Sequence, residues 1–578
     1  MGDFVLMPKL GMTMTQGKIV KWLKTQGEKV EKGDYIFEVE TDKTTLEVDS
    51  LHTGRLIKRY YEEGDTVPCD AQVAYIGEEA DEIPNIKPIS VSGTEGAEEK
   101  INQPLKTDSS TKKLQVKPLA FEDDTKYDYD LAVIGGGPGG YVAALRAAQL
   151  GAKTVLIEKD TVGGTCLNRG CIPTKALYTS AKQFRHMKNA SAFGLKVTGV
   201  EIDFAQVMKR KDRIVKQLTD GVAFLLKKSK VEVVKGTAKM DKEHEIKVGD
   251  RTITCRFAIL ATGGKPYSVL RTIAKDIEIY NTDTLMGLND LPKSMAIVGG
   301  GIIGCEIGCI MNSFGVDVTI IEKLPTIMPV IDSELTNCLT DHMIKNGVSI
   351  FTEVTVSALE YSGAQYRIRL TDGTNVKCDM ILEAVGRKAQ TQAFEALDVS
   401  ISDEGFVQVD SFMCTNLPSV FAVGDINGIS QLAHAASEQG ITAVERMFGG
   451  LTETQEQAIA SCVFTDLEIA YVGITEAQAK GKGLEPRTFK FPFASNGKAL
   501  TLGQIEGFVK VVYDGRFGEI LGVHIIGPEA SSLIHEAVVG MRLEATAEYL
   551  GTTIHAHPTL SEALMEAFLG CSKGALHI

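Results

Sequence analysis

The chain lacks an excess of basic residues. It has 578 residues, with 61 Lys and Arg against 75 Asp and Glu, for a formal net charge of −14. Nucleic acids and anionic membranes attract basic surfaces, so this balance argues against both as partners. No apolar run reaches the ~18 residues that a membrane-spanning helix needs. The first residues contain no basic stretch followed by an apolar one, so we expect no secretory signal.

Cysteine is also scarce, with 11 residues in the whole chain. That number is too small for a disulfide scaffold, and it favours a cytoplasmic protein. In such a setting a closely spaced cysteine pair is more often catalytic or metal-binding than structural. Hydrophobic residues make up 44% and charged residues 24%, which is typical of folded domains. The length predicts about four domains.

The first 78 residues contain an internal repeat. Residues 17–40 align with residues 54–77 at an offset of 37, which places Gly27 opposite Gly64. Each half alternates apolar and polar residues between glycine turns, a pattern that predicts short strands. Two similar half-sheets indicate a small flattened β-barrel with pseudo-twofold symmetry, over residues 1–78.

The two halves are joined by the sequence Glu-Thr-Asp-Lys-Thr at 40–44, which places Lys43 at an exposed hairpin tip. Residues 79–126 then change in character, with four prolines and many charges. Such a segment cannot bury enough apolar surface to order itself, so we interpret it as a linker.

A second repeat predicts two nucleotide-binding units. The segment from Asp130 resembles the segment from Lys293 at an offset of 164, and each contains an apolar strand, a glycine-rich turn and a helix. The glycines allow a tight turn and close approach of a pyrophosphate, and an acid at the end of the next strand can bind a ribose hydroxyl. The first unit has Gly135, Gly137, Gly140 and Glu158, and the second has Gly299, Gly301, Gly304 and Glu322. The second acid favours NAD over NADP, since a carboxylate repels a 2′-phosphate.

Two cysteines, Cys166 and Cys171, follow the first unit at CxxxxC spacing. They could form a redox pair, half of a zinc site, or two unrelated thiols, although no His cluster lies near in sequence to complete a metal site. The lead-in glycines and Pro173 predict a loop that enters a helix. In a regular helix the two side chains would point about 140° apart, so a bonded pair requires an irregular first turn. The helix N-terminus would lower a thiolate pKa.

The last dense motif is HAHPTLSE at 555–562. A His followed five residues later by Glu can form a base held by a carboxylate, as acid–base catalysis requires. The alternative is a helix-entry loop in which Ser561 caps the helix.

The motifs GGTCLNRGCIPTK at 163–175, the two glycine turns, FAVGD at 421–425 and HAHPTLSE together resemble the FAD-dependent pyridine nucleotide-disulfide oxidoreductases. The resemblance covers residues 127–578. Residues 1–78, with ETDKT at the hairpin, resemble a lipoyl domain that carries lipoate on Lys43. The chain is therefore expected to be multidomain, with a small β-barrel, an α/β flavoprotein of two dinucleotide-binding domains, and an α+β dimerisation domain.

The resemblance implies a role for each matching residue. Cys166 would exchange with the substrate dithiol and Cys171 would lie against the flavin. The other implied roles are His557 as the base, Glu562 as its orienting carboxylate, Lys175 and Glu306 as an ion pair near the flavin, and Gly424 and Asp425 as FAD contacts. In this family the His reaches the disulfide of the other subunit, so a homodimer is implied.

The members that match best oxidise protein-bound dihydrolipoamide, with FAD and NAD as cofactors and no metal. They serve 2-oxo acid or acetoin dehydrogenase complexes, whose acyltransferase and decarboxylase components would be the partners. Other disulfide or metal-ion reductases of the family are the first alternative, and Glu322 and the single C-terminal Cys571 argue against them. The second alternative is a lipoyl carrier or docking component with a secondary reductase role.

These motifs also predict domain boundaries. The expected order is 1–78 lipoyl domain, 79–126 linker, 127–270 FAD-binding domain, 271–390 NAD-binding domain, 391–455 second part of the FAD-binding domain, and 456–578 dimerisation domain.

Overall fold

The computed structural model describes residues 3–8, 16–40, 45–50, 52–69, 71–77, 125–274, 276–450 and 458–578. Lys43 and residues 79–124 of the expected linker lie outside the described residues. The chain divides into two compact units. The smaller contains the N-terminal residues with Asp514–Ile520 and Val539–Tyr549, and the larger contains the remainder.

The N-terminal part is made of short strands. They are β1 Asp3–Leu6, β2 Gln16–Trp22, β3 Lys29–Val30, β4 Tyr35–Glu40, β5 Thr45–Asp49, β6 Gly54–Arg59, β7 Thr66–Pro68 and β8 Gln72–Gly77. They form two four-stranded sheets with the orders β1-β8-β6-β3 and β5-β4-β2-β7. The 37-residue repeat relates β2, β3 and β4 to β6, β7 and β8. Each half lends one strand to the other, because β3 pairs with β6 and β7 pairs with β2.

Equivalent hydrogen bonds join the two halves. The Gly27 amide donates to the Leu56 carbonyl at 2.7 Å, and the Gly64 amide donates to the Ile19 carbonyl at 2.7 Å. Ile19 and Leu56 occupy equivalent positions and are fully buried. The predicted barrel with pseudo-twofold symmetry is confirmed.

The rest of the chain alternates strands and helices. The elements are β9 Tyr129–Ile134, α1 Pro138–Gln149, β10 Thr154–Glu158, α2 Gly164–Asn168, α3 Cys171–Lys188, α4 Phe204–Lys228, β11 Glu232–Lys235, β12 Ala238–Lys242, β13 Glu245–Val248, β14 Arg251–Leu260, β15 Gly264–Pro266, α5 Thr282–Leu285, β16 Ser294–Val298, α6 Ile302–Ser313, β17 Asp317–Ile321, α7 Ser333–Lys345, β18 Ser349–Phe351, β19 Val356–Tyr361, β20 Tyr366–Leu370, β21 Asn375–Cys378, β22 Met380–Glu383, β23 Arg387–Ala389, β24 Val420–Ala422, α8 Ala433–Val444, β25 Ser461–Val463, β26 Glu468–Gly473, α9 Glu476–Gly481, β27 Pro486–Pro492, α10 Gly497–Leu502, β28 Phe508–Asp514, β29 Ile520–Gly527, α11 Ala530–Arg542, α12 Ala547–Thr552 and α13 Glu562–Gly570.

The two predicted nucleotide units have matching parallel sheets. The strand order β11-β10-β9-β14 in the first corresponds to β18-β17-β16-β22 in the second, and every neighbouring pair in these two runs is parallel. The strands β9, β10, β16 and β22 are almost continuously buried, as strands covered on both faces must be. Parallel strands direct their carboxyl ends to one edge, so both glycine turns and both acids lie where ligands bind in such folds.

The C-terminal strands form a separate five-stranded sheet with the order β25-β26-β29-β28-β27. The predicted α+β arrangement of this region is confirmed. Within the described ranges, no helix combines the length and the apolar character needed to cross a membrane.

Candidate redox site

The first glycine turn has no space for a side chain at its first or last glycine. A Cβ on Gly140 would lie 1.9 Å from the Gly135 carbonyl oxygen, and one on Gly135 would lie 2.2 Å from the Ala261 oxygen. Gly137 is the N-cap residue of α1. Glu158 ends β10, and its carboxylate accepts a hydrogen bond from the Gly136 amide at 2.7 Å. The carboxylate thus fixes the turn and remains beside the N-terminus of α1, where a phosphate is favoured.

The second turn repeats this geometry. A Cβ on Gly304 would lie 2.0 Å from the Gly299 oxygen, and Gly301 is the N-cap residue of α6. Glu322 accepts from the Gly300 amide at 2.7 Å and is 7% exposed. Each glycine turn is therefore held by the acid that ends the following strand.

The two cysteines lie on different helices. Cys166 is within α2, Cys171 is the first residue of α3, and Arg169 and Gly170 interrupt the helical path between them. This break is the irregular turn that the CxxxxC spacing requires. The Cys166 thiol and the Cys171 sulfur are hydrogen-bonded to each other.

The environment makes the two thiols unequal. The hydrogen bond from Cys166 lowers the pKa of Cys171 to about 7, against the effect of burial and with further help from Lys175. The same hydrogen bond, together with burial, raises the pKa of Cys166 well above its usual value. Cys171 also lies at the N-terminus of α3, where the helix dipole favours a thiolate. Of the two thiols, Cys171 is therefore the one that loses its proton at lower pH.

Lys175 lies one turn after Cys171 on the same helix. Its Nζ is 2.7 Å and 2.9 Å from the two carboxylate oxygens of Glu306, which is 4% exposed. Its Nζ also lies 4.6 Å from the centre of the Phe464 ring. The Phe464 amide donates to Glu306 at 2.8 Å. The ion pair between Lys175 and Glu306 thus connects α3, which we call the redox helix because it begins at Cys171, to the second nucleotide unit.

Gly424 and Asp425 follow β24, beside the first sheet. The Gly424 amide donates to the Gln439 side chain at 2.7 Å. Burial raises the pKa of Asp425, while the nearby Arg387 charge opposes that effect. Arg387 connects α2 to β15. Its Nη2 donates to the Gly264 carbonyl at 2.6 Å and to the Thr165 hydroxyl at 3.2 Å.

The HAHPT loop presents a base at the surface. His557 is exposed, and its Nδ1 lies 2.9 Å from Glu562, which also accepts from the Thr559 amide at 2.7 Å. Burial alone would raise the pKa of Glu562, but these two hydrogen bonds lower it overall. Ser561 is the N-cap residue of α13, but its side chain makes no capping bond, so the capping alternative is wrong.

The described part of the chain contains no group of three or more His, Cys, Asp or Glu side chains placed to hold a metal ion. The half-zinc-site interpretation of the cysteine pair therefore has no structural support.

Three family models match the chain. The pyridine nucleotide-disulphide oxidoreductase model covers residues 129–440, its dimerisation domain covers residues 459–568, and the biotin-requiring enzyme model covers residues 4–76. The dihydrolipoyl dehydrogenase of Chlamydia pneumoniae is 40% identical over 78% of this chain and 98% of its own length. The chain belongs to the dihydrolipoyl dehydrogenase family.

Other relatives agree. The Thermus scotoductus dihydrolipoyl dehydrogenase is 40% identical over 78% of this chain and 99% of its own length. Among solved structures, LpdA of Mycobacterium tuberculosis is 26% identical with a TM-score of 0.71, covering 76% of this chain and 98% of that one. The HOCl-induced flavoprotein disulfide reductase RclA of Escherichia coli is 25% identical with a TM-score of 0.69, covering 77% and 99%.

As a member of the dihydrolipoyl dehydrogenases, the chain is an FAD- and NAD-dependent oxidoreductase with an N-terminal lipoyl domain and a C-terminal dimerisation domain. The residues present fit both nucleotides, because a Cβ on the first or last glycine of either turn would overlap backbone, so these turns offer main-chain groups to a ligand. The buried Arg387 Nε has no hydrogen-bond partner among the described residues, as expected beside a site that receives an anionic or carbonyl-bearing group.

The sequence interpretation missed several residues that complete this site. Arg387, Gln439 and Phe464 reach it from positions more than 200 residues after Cys171, where no local spacing reveals them. A second His–carboxylate contact was also missed. His555 Nε2 lies 2.8 Å from Glu536, and its Nδ1 lies 2.8 Å from the Thr553 carbonyl.

Proposed function

We propose that this protein oxidises protein-bound dihydrolipoamide through Cys166 and Cys171, with NAD⁺ as the final acceptor. The observation that carries the proposal is the unequal thiol pair at the start of α3, with Lys175 and Glu306 beside it. The net reaction is dihydrolipoamide + NAD⁺ → lipoamide + NADH + H⁺. When bound, FAD supplies the two-electron carrier between the dithiol and NAD⁺.

The exchange begins with the oxidised cysteine pair. A substrate thiolate attacks the Cys166 sulfur, the Cys166–Cys171 bond breaks, and Cys171 leaves as the thiolate. The second substrate thiol then displaces Cys166, which closes the lipoamide ring and leaves both cysteines reduced. Cys171 is the better leaving group, because a thiolate leaves faster when its pKa is lower.

His557 is proposed as the base that takes the substrate proton. A carboxylate can only accept, so the contact with Glu562 places the proton on Nδ1 and leaves Nε2 of the neutral ring free to accept another. In the proposed homodimer this ring serves the disulfide of the other subunit, because the dimerisation domain carries the HAHPT loop to the subunit interface.

The geometry of the two turns supports the proposed nucleotide contacts. Gly135, Gly137, Gly140 and Glu158 would hold the FAD pyrophosphate and ribose, and Gly424 and Asp425 would close on the rest of FAD. Gly299, Gly301, Gly304 and Glu322 would hold NAD in the same way. Lys175 and Glu306 would lie near the flavin, where the ammonium stabilises the Cys171 thiolate. The domain boundaries given above are proposed with these assignments.

The lipoyl domain gives the enzyme its own arm, with lipoate attached to Lys43. We place the protein in a 2-oxo acid or acetoin dehydrogenase complex, beside its acyltransferase and decarboxylase components. A tethered arm raises the local concentration of dithiol at the redox site without any new contact. The scarcity of cysteine supports a cytoplasmic location.

Anaerobic stopped-flow absorbance of the FAD-loaded protein with dihydrolipoamide, before NAD⁺ is added, tests the redox assignment. The parent should develop a long-wavelength thiolate–flavin band. Cys166→Ser has no disulfide to accept electrons, so its spectrum should not change when dihydrolipoamide is added, whatever band its unpaired Cys171 already gives. Cys414→Ser is the matched control that should behave like the parent. A band that grows on addition of dihydrolipoamide to Cys166→Ser would contradict the proposed exchange.

The arm is tested in the full chain with Lys43→Arg, using Lys32→Arg as a control at an exposed position of the same domain. Turnover coupled to a reconstituted complex should fall, while turnover of free dihydrolipoamide should stay at the parent level. Equal coupled turnover in both variants would remove the arm from the mechanism.

A further inference from the structure

A short segment after β25 contacts the redox helix at regular intervals. Alternate residues of the run 464–468 point to α3 or to its neighbour α6. Phe464 lies over Lys175, Asp466 pairs with Arg185, and Glu468 accepts from the Tyr178 hydroxyl at 3.1 Å. Residues 464–467 connect β25 to β26, which pair antiparallel, and Glu468 is the first residue of β26, so the turn of this hairpin places the three side chains against the helices. We call residues 464–468 the clamp segment.

The matching residues of α3 lie on a single helix face. Lys175, Tyr178, Lys182 and Arg185 are separated by three or four positions, and Cys171 lies four positions before the first of them. Positions spaced in this way stack above one another on a helix. The clamp segment therefore contacts the same face of α3 that carries the redox thiol.

Two residues of this contact, Glu468 and Tyr178, are buried. Glu468 is 5% exposed, and its carboxylate also accepts from the Ser531 hydroxyl at 2.8 Å and lies 3.6 Å from Lys182. Tyr178 is buried, and its ring meets the Phe464 ring edge-on at 6.0 Å. A buried carboxylate with several donors fixes its neighbours firmly, because leaving any of those groups unpaired would be costly.

Phe464 touches both members of the catalytic ion pair. Its ring lies 4.6 Å from the Lys175 ammonium, and its amide donates to Glu306 at 2.8 Å. Without the ring, the Lys175 ammonium would keep the Glu306 carboxylate as its one hydrogen-bond partner among the described residues. An ammonium over an aromatic face is attracted to the ring, and this attraction strengthens when water is excluded.

We propose that Phe464 is a positioning residue, whose ring and amide hold Lys175 and Glu306 in place beside the Cys171 sulfur. The clamp segment thereby sets the reactivity of the redox thiol from a part of the chain that is remote in sequence. This inference deepens the proposed function and rests on Cys171 as the flavin-facing thiol.

The charged and titratable groups around this sulfur come from three elements. Cys166 faces it from α2, Lys175 from its own helix and Glu306 from α6. Cys462 faces the ion pair from β25. Of these groups, the cation and the anion of the ion pair are the ones that Phe464 contacts, so loss of its ring should act on Cys171 through them.

The test is the pH dependence of Cys171 alkylation in the FAD-loaded full chain, reduced with a phosphine and treated with iodoacetamide. Trypsin cuts after Arg169, so the two redox cysteines fall on separate peptides for mass spectrometry. Phe464→Leu removes the ring and keeps the amide. Phe464→Tyr keeps both and serves as the conservative rescue. Phe508→Leu is the matched control, since that ring lies near Lys490 elsewhere in the same sheet region.

Phe464→Leu should move the alkylation midpoint to higher pH and slow alkylation at pH 7 about threefold or more. Phe464→Tyr and Phe508→Leu should follow the parent. The proposal is overturned if Phe464→Leu follows the parent, if Phe464→Tyr shifts as far as Phe464→Leu, or if Phe508→Leu causes the same shift. Alkylation needs neither dihydrolipoamide nor NAD⁺, so failure here is distinguishable from failure of the proposed reaction, which the stopped-flow experiment measures.

Discussion

The two nucleotide units have nearly the same geometry at their glycine turns, and they differ in the side chains of the helix that follows each turn. Gly135 and Gly299 have φ values of 110° and 108°, and each is followed by a glycine whose amide is 2.7 Å from the strand-end carboxylate. At the offset of 164, Val142 of α1 corresponds to Glu306 of α6. Glu306 forms the ion pair with Lys175 of α3, whereas Val142 carries no charge with which to form one. The two units thus share the geometry of the turn and differ in the residues with which the following helix can reach α3.

The largest effect on nucleotide binding should come from replacing the last glycine of each turn with alanine. In Gly140→Ala the new Cβ would lie 1.9 Å from backbone, so the first turn must open and the protein should lose its FAD and all activity. Gly304→Ala should keep FAD and its reduction by dihydrolipoamide, while the KM for NAD⁺ rises ~10²-fold. Flavin absorbance after gel filtration and the two half-reactions measure the difference. Loss of flavin from both variants would show that the units are not separable in this way.

The next largest effect is expected at Glu306 of α6, which corresponds to Val142 of α1. Glu306→Gln removes the anion beside Lys175 and should lower kcat about 10²-fold. Because Glu306 raises the pKa of Cys171 while Lys175 lowers it, loss of the anion should also move Cys171 alkylation to lower pH. Val142→Ala, at the equivalent position of the first unit, should change activity by no more than about twofold. A large effect of Val142→Ala would weaken the assignment of a special role to Glu306.

A smaller effect is expected at the strand-end acids. Glu322 accepts from the amides of Gly300 and Leu324, and a Gln can accept at only one end. Glu322→Gln should therefore lower NAD⁺ affinity ~10-fold and narrow the preference over NADP⁺. Glu158→Gln should instead weaken FAD retention. Steady-state kinetics with both nucleotides, beside a flavin-release assay, separates the two outcomes.

The smallest expected effect is a difference in alkylation rate between the thiols of Cys171 and Cys305 near neutral pH. With a pKa of about 7, Cys171 should reach half of its maximal alkylation rate near neutral pH and react faster as the pH rises through that value. Burial raises the pKa of Cys305 on α6, so this thiol should stay unmodified in the folded protein at the same pH. Peptide mapping of the reduced protein measures both. Modification of Cys305 at neutral pH would show that α6 opens.

The sequence predicted the parts of the site that are encoded locally. The two glycine turns, the strand-end acids and the break between Cys166 and Cys171 all follow from short spacings, and all of them appear in the structure. Phe464 and Arg387 could not be found in this way, because they lie more than 200 residues after Cys171 and reach α2 and α3 only through the fold. The run CVFTDLE contains the turn between β25 and β26, and its sequence does not reveal which helix that turn faces.

The exchanged strands of the N-terminal barrel have a consequence for how that module loses its structure. Since β3 completes the sheet of the second half and β7 completes the sheet of the first, neither half has a finished sheet of its own. If one half unfolds, the sheet of the other half loses its edge strand. Unfolding of one half alone would therefore gain little chain entropy while it exposes much apolar surface. The module should therefore melt in a single cooperative step, with its slowest-exchanging amides distributed evenly over both halves.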